Sequence, residues 1–253
     1  MSDLKKFDKE GKPLNLIPTA NRSIQANWIQ KYYDDPSSVE PSAEDIKCEL
    51  QLQALSDFEP LNFLIDPGQF RKEIAKYENS WKPYLRREGV SNDREGLLLV
   101  GMEGDTPEDE SSRPEKMRAA GRWIHEDEFN VPTQAYHDLT CLHDLLNYWQ
   151  PLGRTFLVRC NAGGWFPPHK DDPLINRRCF RVAAFLGPNV DHEAFEWVQD
   201  GRTVPIKKDR AYYVDTRKTH RTHAFVDNSI HLIMNIPKTW ENVIKLITAT
   251  KWF

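Results

Sequence analysis

AYYVDTRKTHRTHAFVDNSIHLIMNI, residues 211–236, reads as three short runs of β-forming residues, 211–214, 220–226 and 230–236. The tripeptide Asp227-Asn228-Ser229 between the last two has the chemistry of a tight hairpin turn. Working upstream, runs at 154–160, 180–186, 194–198 and 203–206 have the same texture, separated by Gly187-Pro188-Asn189 and Asp200-Gly201. Seven short strands joined by turns, with no helical period between them, predict an antiparallel sandwich or jelly roll.

Outside this core the pattern changes. Asp66-Pro67 followed by Phe70, Ile74 and Tyr77 predicts a helix over 69–81, and the apolar run 96–100 predicts a buried strand. The acidic, turn-rich segment 103–113 reads as a surface loop. Leu142, Leu145, Leu146 and Trp149 mark a helix over 140–149 with Thr140 as its cap and with His137 and His143 as surface histidines. A closing helix over 239–253 is expected to pack Trp240, Val243, Ile244 and Ile247. The organisation expected is an N-terminal arm over 1–55, partly irregular, and one domain over 56–253 whose jelly-roll core spans about 153–236.

Composition narrows the function. The 253-residue chain has a net charge of −4, so no overall basic field recruits nucleic acid or an anionic membrane. No apolar run approaches the ~18 residues needed to span a bilayer, and the N-terminus lacks the apolar core of a signal peptide, so a cytoplasmic protein is expected. Cys48, Cys141, Cys160 and Cys179 form no C-x-x-C pair, which argues against a structural zinc site and fits free thiols.

The chemistry is concentrated at Gly163-Gly164-Trp165-Phe166-Pro167-Pro168-His169-Lys170-Asp171. In extended chain, side chains two apart share a face, so His169 and Asp171 can hold one ion while a third ligand comes from a distant strand. Such a 2-His-1-carboxylate set with open positions suits iron(II). The same spacing recurs at His125-Glu126-Asp127, but with no turn before it and in an acidic surround, which reads as a solvated segment. Trp165 and Phe166 are candidates to line a pocket beside the ligands.

The order of these features, a Gly-x-x-Pro-Pro-His-x-Asp turn, a strand opening at Arg181, and Tyr213-Val214-Asp215 ahead of His220, resembles the iron(II)/2-oxoglutarate oxygenases, in particular the aspartyl/asparaginyl β-hydroxylase-like branch, and also the free-proline hydroxylases. The resemblance covers about residues 153–236 and implies a mainly β fold with flanking helices around a double-stranded β-helix, a cupin-like jelly roll. It implies Fe(II), 2-oxoglutarate as co-substrate and O₂, and a metal set of His169, Asp171 and His220. His220 and His223 compete for the distal place. Their alternation puts them on opposite faces, and the spacing to Asp215 and to the Asn228 turn favours His220.

One departure from the family pattern concerns the co-substrate. Relatives carry an arginine about ten residues past the distal histidine, where this chain has Ile230. Another donor must then hold the far carboxylate, with Arg181 the first candidate and Arg159 and His231 behind it. The reaction implied is hydroxylation of an amino acid or peptide side chain. The alternative is a cupin-like metal protein, a hydrolase, an isomerase or a non-catalytic binding module, that has lost 2-oxoglutarate turnover. The basic residues Arg177, Arg178, Arg181, Arg217, Lys218 and Arg221 around the ligand segments suggest an anionic group on a small-molecule or peptide substrate.

Overall fold

A computed structural model describes residues 41–84, 93–171, 178–187 and 193–250. The expected arm over 1–40, the Arg177 position and the Gly187 turn beyond residue 187 lie outside the described residues. What is described of the arm is a regular helix, α1 (Ala43–Gln53), started by a capping box in which Ser42 and Asp45 each satisfy the other's main-chain N–H. It buries only Cys48 and Leu52, too sparse a stripe for the helical period to show in sequence.

The segments that follow wrap the core. They are β1 (Phe58–Leu64), α2 (Pro67–Ile74), β2 (Lys82–Pro83), β3 (Arg94–Gly101), α3 (Arg113–Ala120), β4 (Val131–Pro132), α4 (Gln134–Asp138) and α5 (His143–Tyr148). The start of α2 is as expected, because Asp66 accepts hydrogen bonds from the main-chain N–H of Gly68 and Gln69. It ends earlier than its apolar spacing predicts and tightens into a 3₁₀ turn at Ala75–Tyr77. Thr140 does not cap a helix. Its hydroxyl binds the Glu73 carboxylate instead, and the chain runs through a 3₁₀ turn before α5.

The remaining strands are β5 (Thr155–Cys160), β6 (Trp165–His169), β7 (Cys179–Leu186), β8 (Phe195–Gln199), β9 (Arg202–Thr203), β10 (Arg210–Val214), β11 (His220–Ala224) and β12 (Ser229–Pro237), closed by helix α6 (Trp240–Thr250). Among the described residues they form two antiparallel sheets. The larger runs β1-β10-β7-β12-β5-β3-β2 with β4 beside β3, and the smaller runs β6-β11-β8-β9. Strands alternate between the sheets along the sequence, which is the winding of a double-stranded β-helix. The fold is therefore mainly β with flanking helices, as expected.

Alternation sorts the large sheet into two faces. Val182, Ala184 and Leu186 of β7 and Ile230, Leu232 and Met234 of β12 pack outward against the helices. Ala183 and Phe185 of β7, Ile233 of β12 and Phe156 and Val158 of β5 face inward to Phe195 and Trp197 of the small sheet. Helix α6 contributes Val243 and Leu246 to the outer layer, whereas Ile244, expected to pack, is 41 % exposed because it lies on the helix's solvent side.

Two polar segments depart from expectation. The 103–113 segment lies only partly at the surface: Glu103, Gly104 and Thr106 are exposed, but Pro107 C=O accepts from Leu98 N–H, and Ser111, Ser112 and Arg113 are buried. Nor is His125-Glu126-Asp127 solvated. Glu126 is buried between Arg154, whose Nε lies 2.6 Å away, and Arg113, at 3.4 Å. Burial alone would raise the Glu126 pKa, but the two guanidinium groups outweigh it and keep the carboxylate charged. Replacing Glu126 with Ala leaves two buried cations uncompensated and is expected to destabilise the fold by about 3–5 kcal/mol in denaturant unfolding.

Candidate metal centre

His169, Asp171 and His220 converge. One ligand atom from each lies within 4.8 Å of the others. Two neighbouring strands produce this: β6 and β11 pair antiparallel with His169 opposite His220, and Asp171 follows just past the end of β6. Gly163, at φ 84°, makes the turn into β6. Gly164 must also lack a side chain, because a Cβ there would stand 2.8 Å from the Asp93 carbonyl oxygen. The distal place is His220. Along β11, His220, Thr222 and Ala224 are buried inward, while His223 lies on the opposite face with its ring against Phe225.

Main-chain carbonyls decide which ring nitrogens are available. His169 Nδ1 lies 2.8 Å from Pro167 C=O, and His220 Nδ1 lies 3.1 Å from Lys218 C=O. A carbonyl only accepts, so Nδ1 carries the proton on both rings and each Nε2 keeps its lone pair. These are the donors a divalent ion needs, each oriented by a hydrogen bond on its other side. Phe166 packs its ring 4.1 Å from that of His169, and Trp197 stacks parallel to His220 at 5.6 Å. Trp165 points to the other face, opposite His223.

The carboxylate is prepared by Arg181. This side chain leaves the inward face of β7 and pairs with Asp171 Oδ2, and its Nε and Nη2 also donate to Asn235 Oδ1 at 3.3 and 3.0 Å. Burial would raise the Asp171 pKa, but Arg181 first, and then the neighbouring histidines, hold it well below the usual carboxylate range. Asp171 is thus anionic and aimed, with Oδ1 3.5 Å from His169 Nε2. Two imidazole nitrogens and one carboxylate from a single side of a protein pocket suit Fe(II), with coordination positions left over.

The residues expected to hold 2-oxoglutarate separate. Arg181 faces the metal ligands but is engaged by Asp171 and Asn235. Arg159 lies on the outer face of β5, paired with Glu95 and Glu78 and stacked on Trp81, so it does not face the barrel interior. Ile230 also points outward, so an arginine at that position would miss the interior. Its neighbour His231 is turned inward, buried beside Phe195 and Phe185, and its Nδ1 has no hydrogen-bond partner among the described residues. Arg94, which sequence reading did not single out as a binding residue, enters the same end of the barrel from β3, its guanidinium 4.5 Å above the Phe166 ring. An arginine at the start of a strand carries no sequence mark of the face it will take.

Three of the surrounding basic residues have acidic partners: Arg178 pairs with Asp127 at 2.6 Å, Arg217 with Asp215 at 2.6 Å and with Glu49, and Arg221 with Glu196 at 2.8 Å.

No protein-family model and no curated protein matches the chain by sequence. Among solved structures it is similar to a prolyl hydroxylase from Trichoplax adhaerens, in complex with a hypoxia inducible factor oxygen degradation domain peptide fragment, at 14 % identity and TM-score 0.44 over 89 % of this chain and 96 % of that one. A Pseudomonas putida prolyl-4-hydroxylase gives 10 % identity and TM-score 0.43 over 75 % and 97 %. The DMSP lyase DddQ from Ruegeria pomeroyi gives 11 % and 0.37 over 86 % and 89 %. The fold itself rests on the strand order and register described above. No helix among the described residues is long and apolar enough to cross a membrane.

Burial pushes His231 down to about 3, helped by the Arg94 charge, and pushes His220 down to about 4, helped by His169. Below pH 6.5 an unfolded chain protonates both rings while the folded chain keeps them neutral. Stability is therefore complete above 6.5 and falls toward pH 4, by up to about 1.4 kcal/mol per pH unit for each ring. Urea midpoints at pH 7 and pH 5 should show this fall, and His231→Leu should flatten it.

Proposed function

We propose that the chain is an Fe(II)/2-oxoglutarate-dependent dioxygenase that hydroxylates an amino acid or a peptide side chain. The observation that carries this is the convergence of His169, Asp171 and His220, with both Nδ1 protons committed to main-chain carbonyls and the carboxylate held charged by Arg181. When bound, Fe(II) would supply the redox chemistry that couples decarboxylation of 2-oxoglutarate to oxidation of a C–H bond. In balance, 2-oxoglutarate, O₂ and R–H give succinate, CO₂ and R–OH.

The chain's own residues divide the rest of the work. His169 and His220 donate neutral nitrogens and Asp171 one negative charge, so the ligand set leaves a divalent ion with a net positive charge that attracts a dicarboxylate. Phe166, Trp197 and the inward residues of β5, β7 and β12 keep water out beside the ligands. The far carboxylate of 2-oxoglutarate is assigned to Arg94 and His231 at the deep end of the barrel. One offers a fixed cation, and the other is an unpaired nitrogen whose burial is otherwise costly. Arg181 is then a support of Asp171 rather than a co-substrate anchor.

A cupin-like metal protein without 2-oxoglutarate turnover is the competing reading, and what favours it is that β12 turns His231 inward, a neutral ring where an arginine would give a fixed cation. Succinate and CO₂ release from 2-oxoglutarate with Fe(II) and ascorbate, present in the wild type and absent in His220→Ala, is the expected result. Metal binding with no succinate would favour the competitor.

Two groups of variants resolve the roles. Arg94→Met and His231→Leu should each weaken 2-oxoglutarate binding in the presence of Mn(II) by about tenfold or more, the loss of one charged hydrogen bond, with Mn(II) affinity kept. Arg159→Met should bind 2-oxoglutarate normally. Arg181→Met should instead weaken the metal, by about 10–100-fold in competition titration.

A further inference from the structure

Gln199 lies at the end of β8, buried and directly opposite His220 on β11. Its side-chain amide makes two hydrogen bonds whose direction is forced. Trp197 Nε1–H can only donate, and does so to Gln199 Oε1 at 3.0 Å. Asp215 C=O can only accept, and receives Gln199 Nε2–H at 2.7 Å. The amide therefore ties the indole to the loop that precedes His220.

Both tied groups bear on the metal ligands. Trp197 is the ring stacked on His220, with the planes 8° apart, so it limits tilt of the imidazole. The loop beginning at Asp215 carries two contacts to the ligands and one that anchors Thr219 next to His220. Thr216 C=O accepts from Asp171 N–H at 2.9 Å, Lys218 C=O accepts from His220 Nδ1–H at 3.1 Å, and Thr219 C=O accepts from Asp200 N–H at 2.7 Å. Displacing the Asp215 carbonyl thus moves a support of Asp171 and a support of His220 together. Glu49 on α1 and Asp215 share Arg217, so the loop is held from outside the barrel as well.

We infer that Gln199 is a positioning residue for the metal centre, fixing the plane of His220 through Trp197 and the place of both Asp171 and His220 through the Asp215 carbonyl. This role rests on the metal-centre reading above. Gln199 touches no ligand atom that faces the ion. Its effect passes through the indole and the loop, as outer partners of metal ligands commonly do.

The test is titration of the full chain with Co(II), read by the visible absorption of the bound ion, together with thermal melting of the metal-free protein. Gln199→Met keeps the volume and removes both hydrogen bonds. It is expected to weaken Co(II) by about 10–100-fold and to change the band positions, because the ligand geometry alters. Trp197→Phe keeps an aromatic ring but loses the N–H donor and part of the stacked surface, so a change in the same direction is expected, and this variant serves if Gln199→Met does not fold. A lowered melting temperature with Co(II) affinity and spectrum unchanged in the folded variant would show a packing role alone and overturn the inference. Failure of the wild type to bind Co(II) would be a different result, refuting the metal centre itself and this role with it.

Discussion

A carboxylate buried in the mouth of a β-barrel has to be matched by a cation, and in this fold Asp171 is matched by Arg181. The pairing carries further obligations. Arg181 also needs acceptors, and Asn235 Oδ1 supplies one, while Asn235 Nδ2 donates to Arg154 C=O at 2.7 Å. Arg154 in turn is a buried cation, and Glu126 neutralises it. The result is a continuous polar layer across β7, β12 and β5, in which each group is satisfied by the next.

The small sheet completes the centre by a different means. Its histidines need no charged partners, because neutral imidazole is what a metal requires, and at His220 burial favours that form. They need orientation, and it comes from carbonyls of their own local chain and from aromatic rings on each side. The contrast between the two sheets is physical. The large sheet pays for a buried charge with a salt bridge, whereas the small sheet holds neutral donors by geometry.

Several features of this arrangement were legible beforehand. His169 and Asp171 follow a glycine turn at a spacing that places both on one side, and alternation along β11 separates His220 from His223. Asp227-Asn228-Ser229 does turn the chain, with Asn228 at φ 60°, but the strands it joins, β11 and β12, lie in different sheets and form no hairpin. What local pattern misjudged were the polar stretches. The 103–113 segment and His125-Glu126-Asp127 look solvated by composition, yet Pro107, Ser111, Ser112, Arg113 and Glu126 are buried, with Arg154 and Arg113 matching the Glu126 charge and Leu98 N–H meeting the Pro107 carbonyl.

Residue order alone therefore determined β3, β5, β7, β8, β10, β11 and β12 and the ligand pair, which depend on backbone conformation and on spacings of two to five residues, whereas β1 and β6 carry no alternation that marks them. Only the tertiary structure decided the partners of the arginines. Arg181, Arg159 and Arg94 each lie on a β-strand, the first two between apolar residues and Arg94 between Asp93 and Glu95, and none of these settings names its partner. One meets Asp171, one meets Glu95 and Glu78 on the outer face, and one enters the deep end of the barrel above Phe166. A guanidinium's role is set by the nearest acid or ring across a sheet, and that neighbour is brought in by register from 10, 64 or 72 residues away.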